Sequence, residues 1–296
     1  MRQATGVALS PARAYTSGFS RDRIALAAFA VLCVLLLAAI AAPLITPQNP
    51  YDLAQLDILD SKLPPGAHSA AGFTYWLGTD GQGRDMLSAI LYGLRISLGV
   101  GVLSTVAALG LGLVVGLVAA RAGGWLDALI MRVVDLQLSF PSILVALILL
   151  ALTGQGVDKI IIALIVVQWA YYARTVRGTA LVELRREYVD AAVCAGYSGA
   201  RILFRHVLPN VLPPLIVVAT VQVAHAITLE ATLSFLGLGM PITSPSLGLL
   251  IANGYVHLLS GKYWISFFPG IALLVTIVAI NLVGDRLRDV LNPQLK

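Results

Sequence analysis

The chain has 296 residues, 58% of them hydrophobic and only 12% charged, where a soluble domain carries roughly a quarter charged residues. That balance excludes a pair of soluble domains and points to a polytopic membrane protein, and the net charge of +5 argues for a nucleic-acid partner only if the basic residues share one soluble surface, which they do not. Two cysteines, Cys33 and Cys194, make neither a disulfide framework nor a metal cluster.

Residues 1–22 are polar and rich in small side chains, with Arg2, Arg13 and Arg21, and read as a flexible tail. Residues 24–45 carry no charge. At about 1.5 Å per residue they cross a hydrocarbon core of about 30 Å. A secretory signal has an apolar region of only about 7–15 residues, so this run reads as an uncleaved anchor. A first unit, 23–93, joins that helix to a long outer loop in which Asp52, Asp57, Asp60, Asp80 and Asp85 face Lys62 and Arg84. The end of that loop, from Trp76, reads as an interfacial segment that fixes where the second span begins. Five more spans are expected at about 95–120, 128–152, 158–180, 210–236 and 264–284, within a core over 94–290 and ahead of a short tail, 291–296. In the second span Ala108, Gly112, Gly116 and Ala120 recur every four residues, which lets another helix backbone approach closely. The outer loop 237–262 starts rich in proline and glycine and can form an interfacial or re-entrant helix over about Leu247–Leu258.

The longest charged stretch lies between the fourth and fifth spans, at 183–209. Leu184, Tyr188, Ala191, Ala192 and Ala195 recur at spacings of 3 and 4 and predict a helix. Gly196 stands where that helix would stop. Ser198 can cap a second short helix from Gly199 to about Val207, and Pro209 is expected to end it. Of the 20 Lys and Arg residues, 15 fall within 2–23, 121–132, 174–205 and 286–296, so both termini and the stretch are expected in the cytosol.

Groups for chemistry are sparse. There is no phosphate-binding G-x-x-x-x-G-K-[ST] loop, and His68, His206, His225 and His257 have no carboxylate or cysteine at ligand spacing. Gln222, Ala226, Glu230 and Ser234 form a small and polar stripe on the fifth span. An acid there avoids lipid, and two readings stay open: lining of a translocation path, or a buried hydrogen-bonding partner at a subunit interface. Asn281 and Asp285 share a face of the last span, with the same ambiguity.

Asp190-Ala191-Ala192, then Gly196, then Leu208-Pro209 resembles the EAA loop of ABC importer permeases, with Asp190 for the usual Glu and His206 for the usual Ile. Phe204–Asn210 (FRHVLPN) resembles the peptide/nickel branch of that family, as do Trp76–Leu98, Leu229–Gly239 and Asn281–Pro293, so that the likeness runs from about residue 75 to 293. The resemblance implies an all-α chain of six transmembrane helices with the type I importer permease fold, the C-type subunit of a dipeptide, oligopeptide or nickel system. It implies an ATPase-coupling loop made by Glu187, Asp190, Ala191, Ala192, Gly196, Ser198, Arg201, Phe204, His206, Leu208 and Pro209. Gln222, Glu230, Ser234 and Asn281 become candidates for the translocation path. Implied partners are a homologous B-type permease, two ATP-binding subunits, an extracytoplasmic substrate-binding protein and the lipid bilayer, in a bacterial inner membrane. The chain itself would hold no cofactor, metal or nucleic acid and have no ATPase site. The competing class is an ion-coupled secondary carrier, which would draw on Glu230 inside the fifth expected span, and no internal repeat is seen.

Overall fold

The computed structural model describes residues 22–69 and 72–291. The two expected tails therefore lie outside the described residues, except for Asp22 and Leu291. Asp22 begins the fold: its carboxylate accepts from the backbone N–H groups of Ile24 and Ala25 and caps α1, Arg23–Ile45. Ala25, Ala28, Ala39 and Ala42 form the buried strip of α1, small enough for close packing on its neighbours.

The outer loop is a folded unit rather than a tether. Its two short strands, β1 (Ala67–His68) and β2 (Thr74–Tyr75), pair antiparallel. Asp60 accepts from the Tyr75 hydroxyl at 2.7 Å and from Ser69 Oγ at 3.1 Å. Trp264 Nε1 donates to the Thr79 carbonyl. Arg84 is fully buried, and its Nη2 donates to the Ile242 carbonyl at 2.7 Å while Asp80 lies 3.7 Å from Nη1. Burial pushes the Asp80 carboxyl up and the Arg84 guanidinium down, and each is partly held by the other. The next helix, α2 (Met86–Ala122), starts nine residues ahead of the expected second span because Asp85 caps it, accepting from Ser88 N–H and Ser88 Oγ.

Helix α2 packs along α5, Val157–Glu183, through the small-residue stripe read from the sequence. A Cβ on Gly112 would lie 2.4 Å from the Tyr172 Cβ, and one on Gly116 2.6 Å from the Ala173 carbonyl oxygen, so only glycine admits this approach. Between α2 and α5 the expected single span over 128–152 is two helices, α3 (Gly124–Ser139) and α4 (Ser142–Thr153), bent 88° apart. Pro141 supplies no N–H at the junction and holds Phe140 in extended backbone, so the helix ends there. Polar anchors fix α3 to α5: Arg177 holds both carboxylate oxygens of Asp127 at 2.5–2.6 Å, and Arg174 pairs with Asp135.

After α6 (Glu187–Cys194) and α7 (Gly199–Ile202) the chain runs through a π-helical turn, Leu203–Val207, into α8, Leu208–Phe235. Pro209 does not end the helix as expected: the chain stays helical from Gly199 to Phe235. The π turn is the reason. The Leu208 N–H reaches back to the Leu203 carbonyl, and this wider turn seats a proline in the first turn of α8. Then α9 (Leu247–Tyr255) packs across α8 and α10 (Trp264–Leu291) closes the bundle. Among the described residues, five helices are long and apolar enough to cross a membrane, six if α3 and α4 form one broken span.

Candidate coupling segment and inner trough

The stretch 183–209 folds by local rules that its residues carry. Helix α6 ends in a Schellman motif: Gly196 N–H bonds the Val193 carbonyl at 2.9 Å and Tyr197 N–H the Ala192 carbonyl at 3.1 Å. The motif needs a left-handed residue, and Gly196 sits at φ 75°. Ser198 caps α7 by accepting from the Arg201 N–H at 3.4 Å.

The segment has two faces. Val189, Ala192, Ile202, Leu203 and Val207 are buried in one hydrophobic cluster with Leu117 and Ala120 of α2 and Val176 and Ala180 of α5. Glu187, Asp190, Ala191, Gly196, Ser198, Arg201, Phe204 and Pro209 are exposed, with His206 and Leu208 half-buried at the margin. The Asp190 carboxylate is exposed and Phe204 is 63% exposed, so a carboxylate and an aromatic ring are both presented outward.

Three aromatic side chains hold this elbow in shape: Tyr188 and His206, both placed by the sequence, and Tyr197, which no sequence signal singled out. Tyr197 stacks on His206 at 5.9 Å, and the Arg201 guanidinium lies 4.3 Å from the Tyr197 ring centroid. Tyr188 donates to Glu183 Oε2 at 2.6 Å and receives Asn210 Nδ2 at 3.1 Å, bridging the end of α5 to the start of α8. Burial, then the Glu183 carboxylate that takes its hydrogen bond, push the Tyr188 phenol above its usual range, so it stays a donor. Helical periodicity alone placed Tyr188 in the sequence; no sequence signal joined it to Asn210, 22 positions away.

Of the residues proposed for a translocation path, only Gln222 faces open space. It lines a cavity of about 760 Å³ between α5, α8 and α10, together with Tyr171, Glu183, Asp285 and Arg288. Gln222 and Tyr171 also line a second recess, about 400 Å³, so the two adjoin, and together they are called the trough. Glu230 and Ser234 are fully buried instead. Glu230 accepts from Ser97 Oγ of α2 and from Ser234 Oγ, each at 2.8 Å. Its carboxylate ties α2 to α8, and neither Glu230 nor Ser234 lines either recess in this structure. Burying it without such donors would be costly. Asn281 is half-buried on α10 and lies outside both recesses.

A bundle of five or six candidate spans carrying a two-faced elbow on one end defines a polytopic membrane protein. The fold agrees with a solved structure of the MetNI methionine ABC transporter in inward-facing conformations, at TM-score 0.57 and 23% identity, over 69% of this chain and 97% of that one. It is thus the all-α importer permease fold that the sequence led one to expect. Residues 112–296 match the family described as binding-protein-dependent transport system inner membrane component, and residues 10–65 match the N-terminal transmembrane domain of oligopeptide transport permease C. The chain belongs to the binding-protein-dependent transport permeases. It is 42% identical over 266 residues to a putative peptide transport system permease protein of Brucella suis, covering 90% of this chain and 86% of that one. It is 36% identical over 287 residues to a di/tripeptide transport system permease protein of Pseudomonas aeruginosa, covering 97% and 93%. The dipeptide transport system permease protein of Alkalihalophilus pseudofirmus is 35% identical over 289 residues, with 98% and 92% covered.

Proposed function

We propose that this chain is the C-type membrane-spanning subunit of an ATP-driven importer for di- and oligopeptides. A homologous B-type permease would close the open side of its trough, two ATPase subunits would bind the elbow, and a binding protein would deliver cargo from outside. ATP is held by the ATPase subunits, and this chain supplies a path and a lever. In the bacterial inner membrane, its termini and the elbow face the cytosol, as the basic residues argue.

The observation that carries this reading is the two-faced packing of 183–209. One face is continuous with the cores of α2, α5 and α8, and the other is free for a partner. A rigid elbow of this kind passes displacement on rather than absorbing it. When the ATPase pair closes, α6 and α7 move with it, and the helices packed against them repack toward an outward-facing bundle. Hydrolysis reverses the motion. Nothing favours an ion-driven carrier: Glu230, the acid it would use, is enclosed by hydroxyl donors.

The test is reconstitution of the four-subunit complex with binding protein in vesicles. Asp190→Lys reverses an exposed, unpaired charge, so stability should change by less than about 0.5 kcal/mol. Peptide uptake should fall at least tenfold while the complex still purifies whole. Uptake at the wild-type rate would remove the coupling role from this carboxylate.

A further inference from the structure

The upper recess of the trough is a neutral site lined with carboxamides. Gln137 from α3, Gln168 from α5 and Gln222 from α8 converge there, beside Tyr171 and His225, and no Asp, Glu, Lys or Arg lines it. Gln168 is 1% exposed; its Oε1 accepts from Thr105 Oγ1 at 3.4 Å, but its Nε2 has no partner. A buried amide N–H without an acceptor is costly, and it marks a place where an acceptor arrives. Gln137 is the complement: its Nε2 donates to the Val166 carbonyl, which leaves Oε1 free to accept. The Gln222 carboxamide makes no hydrogen bond to the described residues.

We infer that this recess reads the main chain of the cargo. Free amide donors and acceptors from three helices take the C=O and N–H of a peptide bond as it passes. A peptide repeats one such donor and acceptor every residue whatever its side chains, so a carboxamide site passes many sequences. The charged ends have separate partners in the lower chamber, where Glu183 and Asp285 suit an ammonium group and Arg288 a carboxylate. The inference rests on the reading of the chain as a peptide permease, and its test separates the two.

The assembled complex, in vesicles with ATP and saturating binding protein, is given trialanine or its analogue with an ester in place of the middle amide. An ester lacks the N–H and its carbonyl accepts weakly, so loss of about one net hydrogen bond predicts wild-type uptake roughly fivefold faster for the amide. Gln168→Leu and Gln222→Leu, which remove donors to the cargo carbonyl, should narrow that preference, because the ester's weaker carbonyl then costs it less. Each preparation shares one binding protein, so a changed ratio reports on the permease alone. Should Gln168→Leu fail to assemble, Gln222→Leu, at a half-buried position, decides the matter. Variants that keep the wild-type ratio, or a wild type with no preference, overturn the inference. A wild-type complex that moves neither compound overturns instead the peptide reading beneath it.

Discussion

Two polar segments join spans in this chain, and they treat their charges in opposite ways. The outer loop turns inward: Asp60, Asp80 and Arg84 are all buried and bonded within the loop or to the chain beyond α8. The inner elbow, 183–209, turns outward, burying apolar side chains and leaving Glu187, Asp190 and Arg201 to solvent. A loop that buries its charged groups against the fold is a brace; one that leaves them exposed has kept them for a partner. The contrast separates residues whose loss should unfold the chain from residues whose loss should silence a folded one.

The brace should be the more fragile under substitution. Arg84→Leu strands Asp80 in a buried site and frees the Ile242 carbonyl, with an expected loss of about 3–5 kcal/mol. Thermal unfolding of the purified complex would show it as a large drop in midpoint, and any complex that still assembles should retain coupled ATPase activity. A stable Arg84→Leu complex would erase the distinction. Next in size is Gly196→Val, which places a β-branched residue at φ 75° and breaks the cap of α6 at a local cost of about 1–3 kcal/mol. Here the midpoint should move little, because the site is exposed, while transport per ATP hydrolysed should collapse.

The smallest effect tests the outer side by pH. Burial first, then Lys62 and Lys262, hold the His257 imidazole below its usual range. A histidine whose folded value lies below its unfolded value contributes stability that is complete above about pH 6.5 and is lost as pH falls through the folded value. Mild acid should therefore loosen the outer surface slightly, and His257→Gln should remove that part of the response. An identical acid profile in the variant would place the cause elsewhere.

The sequence made the elbow readable because its rules are local. Gly196 as a left-handed stop and Ser198 as a cap each act within three residues, and both are found in those roles. Pro209 was misread because whether a proline ends a helix depends on the turn before it, and a π turn has no composition of its own. The break at Pro141 was written in the sequence, but an apolar run with a proline reads equally as one kinked span or two helices. Glu230 was left open for a different reason: the hydroxyl that answers it, Ser97, lies 133 positions away, and no spacing reveals such a pair. Arg84 gave no signal at all, since a basic residue in an acidic loop reads as solvated until its burial is seen.

The central claim is that the elbow faces the ATPase side of the membrane and is covered there by a motor subunit. The exposed Cys194 at the end of α6 gives a native probe, with a Cys33→Ala background leaving it as the single thiol. Labelling with a membrane-impermeant maleimide should be absent in intact spheroplasts, strong in inside-out vesicles stripped of ATPase subunits, and suppressed when those subunits are restored. Labelling from the outside of intact spheroplasts, or labelling that the ATPase subunits leave unchanged, would contradict the account.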